Sequence, residues 1–306
     1  MKTRTIGKSE LVVSELGLGC MSLPTNQEKA RSVIDAALDY GITYFDTADL
    51  YDAGQNEIVV GQALNKRRHE IILGTKVGNA MNPDGKTWTW NPSKKHIMSS
   101  VKESLRRLQT DYIDLYQLHG GTMEDDVEET IDAFETLKKE GLIREYGISS
   151  IRPTVIERFT EMSKGVSVMM QYNLLDRKAE QVFPLLQQRN NSVIVRGSIG
   201  KGLLTETFAK RLANHAAFPP FTNVQLSELL PKVEAIEPHM QAVALHYLLQ
   251  SPVVATVLIG SRTVEQLQSS LHAYNQTISE ETLQQIEQLI PFHPYQEHLI
   301  DFEHYH

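Results

Sequence analysis

Asp46, Tyr51, Lys76 and His119 bring together a carboxylate, a phenol, an ammonium and an imidazole. That is a set able to hand a proton to a carbonyl oxygen. A tyrosine is a poor acid at neutral pH, with a free pKa of about 10, and a nearby cation favours its phenolate. Lys76 can be that cation, and a buried lysine keeps its charge only if a carboxylate such as Asp46 pairs with it. His119 can orient a carbonyl oxygen by donating a hydrogen bond. Together the four make a general acid beside a site that stabilises an alkoxide. No side chain can supply a hydride, so a reduction here needs a cofactor. Each residue taken singly has a plainer reading: Asp46–Lys76 as a structural ion pair, Tyr51 as a half-buried packing residue, His119 as a satisfied structural histidine. The argument therefore rests on their joint placement.

That placement comes from the pattern of the chain. Short β-rich runs at 16–20, 43–47, 71–76, 112–119, 145–149, 168–172, 192–196 and 254–259 alternate with helical periodicity. Ala30, Val33, Ile34, Ala37 and Leu38 follow the helical spacing, as do Ile97, Val101, Leu105 and Leu108, and Met240, Val243, Ala244, Tyr247 and Leu248. Gly41 and Gly141 sit where helix C-caps belong. Asn91-Pro92 and Arg152-Pro153 read as helix starts with proline in the first turn, and Glu124-Asp125-Asp126 as an acidic helix start. Strands alternating with helices imply parallel strands joined by crossovers. Eight such units predict a (β/α)8 TIM barrel, an α/β fold, forming a single domain over 1–306. A β-hairpin at 3–13 is expected to plug the barrel bottom, and a helix at 279–290 precedes a C-terminal tail. In such a barrel reactive groups sit at strand C-termini. Asp46 ends strand two, Tyr51 follows it, Lys76 ends strand three and His119 ends strand four. Two segments after strands, 78–91 and 198–231, are too long for plain connectors and fall on the same face.

Composition narrows the class. The 306 residues carry a net charge of −8, 41% apolar residues and one cysteine. A single cysteine excludes an internal disulfide framework, and an acidic chain without a clustered basic excess argues against nucleic acid as a partner. Lys2, Lys8, Lys66, Arg67 and Arg68 read as solvated surface charge. No run is long and apolar enough for a membrane span. MKTRTIGKSE lacks the apolar stretch of a signal peptide, and the thiol of Cys20 suits a reducing compartment, so a cytoplasmic location is expected.

On these residues the sequence resembles the aldo-keto reductase superfamily. GITYFDTADLYDAGQNE (41–57) is similar to its strand-two signature, TK at Lys76 and LYQLH at His119 to its third and fourth, and MMQYNLLDR (169–177) and GKGLLT (200–205) to its sixth and seventh. The resemblance implies an NADP(H)-dependent reductase acting on a small-molecule carbonyl substrate, with Tyr51 as general acid assisted by Lys76, Asp46 and His119. It implies that Ser149 and Gln171 hold the nicotinamide carboxamide and that the backbone of Gly197, Ser198, Ile199, Lys201 and Gly202 covers the pyrophosphate. Met21, Asp46, Arg196 and Gly260 line the same cofactor site, and Ser261 and Arg262 take the adenosine 2′-phosphate at a helix N-terminus. No G-x-G-x-x-G fingerprint is present; GLGCM has only two glycines and reads as a strand entering a tight turn. The chain departs from the family pattern at three places. It has Ser149-Ser150 where many members have Ser-Asn, and Arg196 where many have an aromatic residue stacked on the nicotinamide. It has Ser269 and Ser270 where many have Glu and Asn near the adenine, which leaves Gln266 as the expected adenine contact.

Trp88 and Trp90 alternate in GKTWTWNPS, either as a wall of the substrate pocket or as pins of their loop on the barrel rim. Phe218, Pro219, Pro220 and Phe221 read as a lid or as a proline-stiffened surface loop. His293, His298, His304 and His306 have no regular ligand spacing and no cysteine beside them, so a mobile tail without a resident metal is expected. Two other readings compete with the reductase: a nicotinamide-sensing regulatory protein with very slow turnover, and a barrel isomerase or lyase. No decisive apolar seam is visible, and a monomer is expected.

Overall fold

The computed structural model describes residues 1–214 and 218–305. The chain opens with an antiparallel hairpin of β1 (Thr3–Thr5) and β2 (Val12–Ser14). Ile6, Leu11 and Val13 of this hairpin pack with Tyr44, Leu115, Met169, Ile194 and Leu258 inside the barrel, so the hairpin plugs its N-terminal end. Arg4 ties the plug down through hydrogen bonds to Glu15 and to the carbonyls of Leu249, Ser251 and Val254.

The barrel strands are β3 (Leu16–Gly19), β4 (Tyr44–Asp46) and β5 (Ile72–Val77); then, after a short hairpin of β6 (Asn79–Met81) and β7 (Trp88–Trp90), come β8 (Ile113–Leu118), β9 (Ile143–Ser149), β10 (Ser167–Gln171), β11 (Ser192–Arg196) and β12 (Val254–Ile259). All pair in parallel and close, with β12 beside β3. Each lies within two residues of its expected run. Helices cover the outer face, which makes these strands almost continuously apolar. Among their buried polar residues, Asp46, Lys76 and Gln117 stand at or near the C-terminal ends of β4, β5 and β8.

Helix starts follow the capping chemistry. Asp126 caps Val127–Lys139 and Ser279 caps Glu280–Leu289. Pro153 is the first residue of Pro153–Met162, as expected. The helix expected at Asn91-Pro92 instead begins at Lys94, because the Ser93 hydroxyl accepts the His96 N–H and becomes the cap, leaving Pro92 outside. The segment 198–231 holds a turn at Gly200–Gly202, the helix Phe208–Asn214 and the start of Asn223–Ile236. Phe218 and Phe221 are buried in the core, while the proline pair between them is exposed, so the aromatic pair anchors a surface loop.

The tail, expected to be mobile, lies packed against the barrel. Tyr295, Ile300, Phe302 and Tyr305 pack on the core, the Tyr305 hydroxyl donates to Glu157 at 2.6 Å, and the Tyr295 N–H donates to Gln181 at 2.8 Å. His306 lies outside the described residues.

Candidate active site

The four singled-out side chains meet at the C-terminal mouth of the barrel. Lys76 is fully buried; its Nζ donates to Asp46 Oδ2 at 2.6 Å, to the Thr47 carbonyl at 2.7 Å and to Tyr51 Oη at 3.4 Å. Burial works against the ammonium, but Asp46 and Tyr51 outweigh it and the Lys76 pKa is raised, so the lysine stays charged. The His119 ring stands edge-on to Tyr51 with centroids 5.8 Å apart. Burial, helped by the Lys76 and Arg196 charges, lowers the His119 pKa to about 3 and keeps the imidazole neutral. Its Nδ1 is buried and has no hydrogen-bond partner among the described residues.

Tyr51 is aimed by a strained turn. Asp52 and Ala53 both take left-handed backbone (φ 49° and 52°) ahead of Gly54 (φ 86°), which turns the chain into the helix Gln55–Leu64. Asn56 of that helix is buried; it accepts from the Thr47 hydroxyl at 2.7 Å and donates to the Cys20 carbonyl at 2.9 Å, tying the ends of β3 and β4 together.

Several supporting residues escaped the sequence reading. The other oxygen of Asp46 receives the Tyr44 hydroxyl at 3.5 Å and Gln117 Nε2 at 3.4 Å. Burial, then Asp46, push the Tyr44 phenol well up, so it keeps its proton to donate to Asp46. Tyr44 occupies space that Gly74 leaves open: a Cβ at Gly74 would lie 2.5 Å from the Tyr44 hydroxyl. Alternation along the strands was the available signal, since Tyr44 and Asp46 share one face of β4.

The residues present fit a nicotinamide dinucleotide. Ser149 and Gln171 end β9 and β10 at the mouth. After β11 the backbone turns left-handed at Gly197, Gly200, Lys201 and Gly202, a shape that exposes amides to an anion. Ser198 is partly committed, donating its hydroxyl to the Leu258 carbonyl at 3.1 Å, and Ile199 is half-buried. Beyond β12, Gly260 is exposed and the Ser261 hydroxyl is buried with no partner among the described residues, as a group waiting for a ligand oxygen would be. Arg262 is exposed and makes no ion pair among the described residues. Met21 is exposed at 64% beside the end of β3.

Gln266, the expected adenine contact, and the neighbouring Ser269 and Ser270 all have partners within the chain. Gln266 folds back to accept the Arg262 N–H at 2.8 Å and so caps its own helix. Ser269 and Ser270 both engage Gln241, at 3.1 and 2.8 Å. The two tryptophans also part company. Trp90 lies over Gly78 and Gly120 and donates its indole N–H to Asp125 at 2.8 Å, pinning the β6–β7 hairpin to the rim. Trp88 is 54% exposed and pairs across the hairpin with Met81. Among the described residues no three His, Cys, Asp or Glu side chains gather as a metal site, and no helix is long and apolar enough to cross a membrane.

A family model described as the aldo/keto reductase family matches residues 15–291. The chain is 49% identical over 280 residues to the uncharacterised oxidoreductase YqkF of Bacillus subtilis, covering 90% of this chain and 92% of that protein. It is also similar to the aldo-keto reductase AKR11C1 of Bacillus halodurans. The holo form superimposes with a TM-score of 0.89 at 47% identity, over 97% of this chain and 99% of that one. The apo form superimposes with a TM-score of 0.85 at 46% identity, over the same shares of the two chains.

Proposed function

The chain belongs to the aldo/keto reductase family, and from that premise we propose that it is an NADPH-dependent enzyme reducing an aldehyde or ketone to an alcohol, with Tyr51 as general acid. The observation that carries the reading is the buried Lys76 ammonium, bound at once to Asp46 and to the Tyr51 hydroxyl at the barrel mouth.

When bound, the nicotinamide cofactor supplies the hydride to the carbonyl carbon. The chain's own residues manage the proton. Tyr51 Oη gives its proton to the carbonyl oxygen, and the phenolate left behind faces the Lys76 ammonium, in a site where little water screens the pair. Asp46 and the Thr47 carbonyl hold Lys76 in place. His119, neutral, keeps one N–H to donate to the carbonyl oxygen and adds no cation of its own.

The preference for NADPH rests on Ser261 and Arg262 beside the N-terminus of the helix Val264–Asn275, a hydroxyl and a guanidinium suited to a dianionic phosphate. Gln266 already occupies the Arg262 amide, which leaves the side chains to carry the phosphate. The enzyme is further proposed to act as a cytoplasmic monomer, the buried Cys20 being a free thiol that suits a reducing compartment. The sensing alternative has no observation of its own.

Tyr51→Phe tests the mechanism. Turnover of an aldehyde panel should fall by about 10²–10⁴-fold, while a fluorescence titration with NADPH stays unchanged. Near-normal rates in that variant would overturn the assignment.

A further inference from the structure

We propose that Glu57 is a positioning residue for the reaction: together with Arg107 it joins the turn that carries Tyr51 to the strand that carries Lys76, and so sets the distance between phenol and ammonium. The inference rests on the reductase reading above and adds a residue to its machinery.

Glu57 lies in the first turn of the helix Gln55–Leu64 and is fully buried. One of its carboxylate oxygens accepts the Thr75 hydroxyl at 2.6 Å, and the other accepts Arg107 Nε at 2.6 Å. Thr75 immediately precedes Lys76 on β5. Successive residues of a strand point to opposite faces, so Thr75 meets the outer helix layer while Lys76 meets the barrel interior. Arg107 reaches in from the last turn of the helix Lys94–Leu108 and lies against the turn that follows Tyr51. A Cβ at Gly54 would stand 3.0 Å from Arg107 Cδ and 3.1 Å from its Nε. Ser104 accepts from the far end of the same guanidinium at 3.3 Å.

The left-handed turn after Tyr51 thus has β5 on one side and a guanidinium on the other, and Glu57 is the group bound to both. Asn56, its neighbour, secures the same helix to the ends of β3 and β4, which leaves the polar link to β5 with Glu57. Asp49, the other carboxyl facing this pair, is pushed up to about 8 by burial and then by Glu57, so at neutral pH Glu57 is the carboxylate that serves Arg107. A buried ion pair adds little net stability, because desolvation offsets its attraction. What this one contributes is geometry. Tyr51 Oη stands 3.4 Å from Lys76 Nζ, already long for a hydrogen bond, so a small retreat of the turn loses the contact. At an effective dielectric of about 20, a retreat of about 1 Å weakens that attraction by the equivalent of about one pH unit.

The experiment uses variants that leave every charge in place. Glu57→Asp withdraws the carboxylate by one methylene, so that it cannot hold Thr75 and Arg107 at once. Thr75→Val removes only the hydroxyl and leaves the ion pair intact, and it carries the test should Glu57→Asp fail to fold. Wild type and both variants are also made with Tyr51→Phe, so that the difference in near-ultraviolet phenolate absorbance isolates Tyr51 without any need for turnover. In Glu57→Asp that absorbance should appear about one pH unit higher than in wild type, and Thr75→Val should show part of the shift. Turnover of an aldehyde should fall about ten- to a hundredfold in kcat, with KM and NADPH dissociation unchanged. The proposal is overturned if the variants lose stability alone, with the Tyr51 titration and kcat at wild-type values, since the pair is then only structural. It is also overturned if the titration moves down, or if the loss lies in KM or in NADPH binding. Failure of wild type to oxidise NADPH with any aldehyde or ketone would remove the reductase reading, whereas the Tyr51 titration would still decide what Glu57 does.

Discussion

Replacing Asp46 by Asn leaves the Lys76 ammonium fully buried without a counter-charge. The Thr47 carbonyl and Tyr51 hydroxyl remain, but neither carries the charge that Asp46 holds 2.6 Å away. Breaking a buried pair from one side costs about 3–5 kcal/mol. A second route sets a ceiling on that cost, because the lysine can shed its proton. From an ordinary value of 10.5, deprotonation at pH 7 costs about 5 kcal/mol, at about 1.4 kcal/mol per pH unit. The two figures are similar in size, so in the folded variant Lys76 is expected to lose its proton within the range pH 7 to 9. The unfolded chain still binds that proton, so the stability of the variant must rise with pH. In wild type Lys76 is charged in both states over this range, because its folded pKa is raised. The deficit of Asp46→Asn against wild type should therefore shrink between pH 7 and 9, with a slope that approaches about 1.4 kcal/mol per unit at the upper end. Urea unfolding followed by far-ultraviolet circular dichroism measures it. Adding Lys76→Met should remove the pH dependence, since no buried titratable group is then left at that position. A deficit that stays constant from pH 7 to 9, or one that persists in the double variant, would refute the reasoning.

Two further outcomes follow from the same geometry. His119, with its pKa lowered to about 3, should show no imidazole titration between pH 5 and 8 by NMR; because the unfolded chain takes up that proton first, its contribution to stability is present above the unfolded histidine value and is lost as pH falls from there toward about 3. Ala53→Gly relieves a left-handed, exposed alanine (φ 52°) and should raise stability by about 1 kcal/mol in urea unfolding, with little change in turnover because glycine holds the same turn.

Much of this molecule was legible from one dimension. Alternation of short apolar runs with helical periodicity gave eight barrel strands to within two residues, because strands buried on both faces leave a local signature. The ends of those strands then named Asp46, Lys76 and His119, since a parallel barrel points every strand C-terminus at one mouth. Helix starts were less legible. Asn91-Pro92 and Ser93 compete as start signals within three residues, and the side-chain hydrogen bond of Ser93 decides between them. The packing of the tail was not legible, because the partial burial of Tyr295 and Tyr305 depends on surfaces built by distant segments.

The sequence by itself determined the barrel and the meeting of Asp46, Tyr51, Lys76 and His119 at its mouth, since both follow from local pattern and strand order. Only the tertiary structure decided which polar groups are spent and which are open. The Gln266 side-chain oxygen is engaged on its own helix and the Trp90 indole N–H on Asp125, while the Ser261 hydroxyl and the Arg196 guanidinium keep open donors at the mouth. The physical reason is that a polar side chain's availability depends on every neighbour within hydrogen-bond reach, and in a closed barrel most of those neighbours come from other strands.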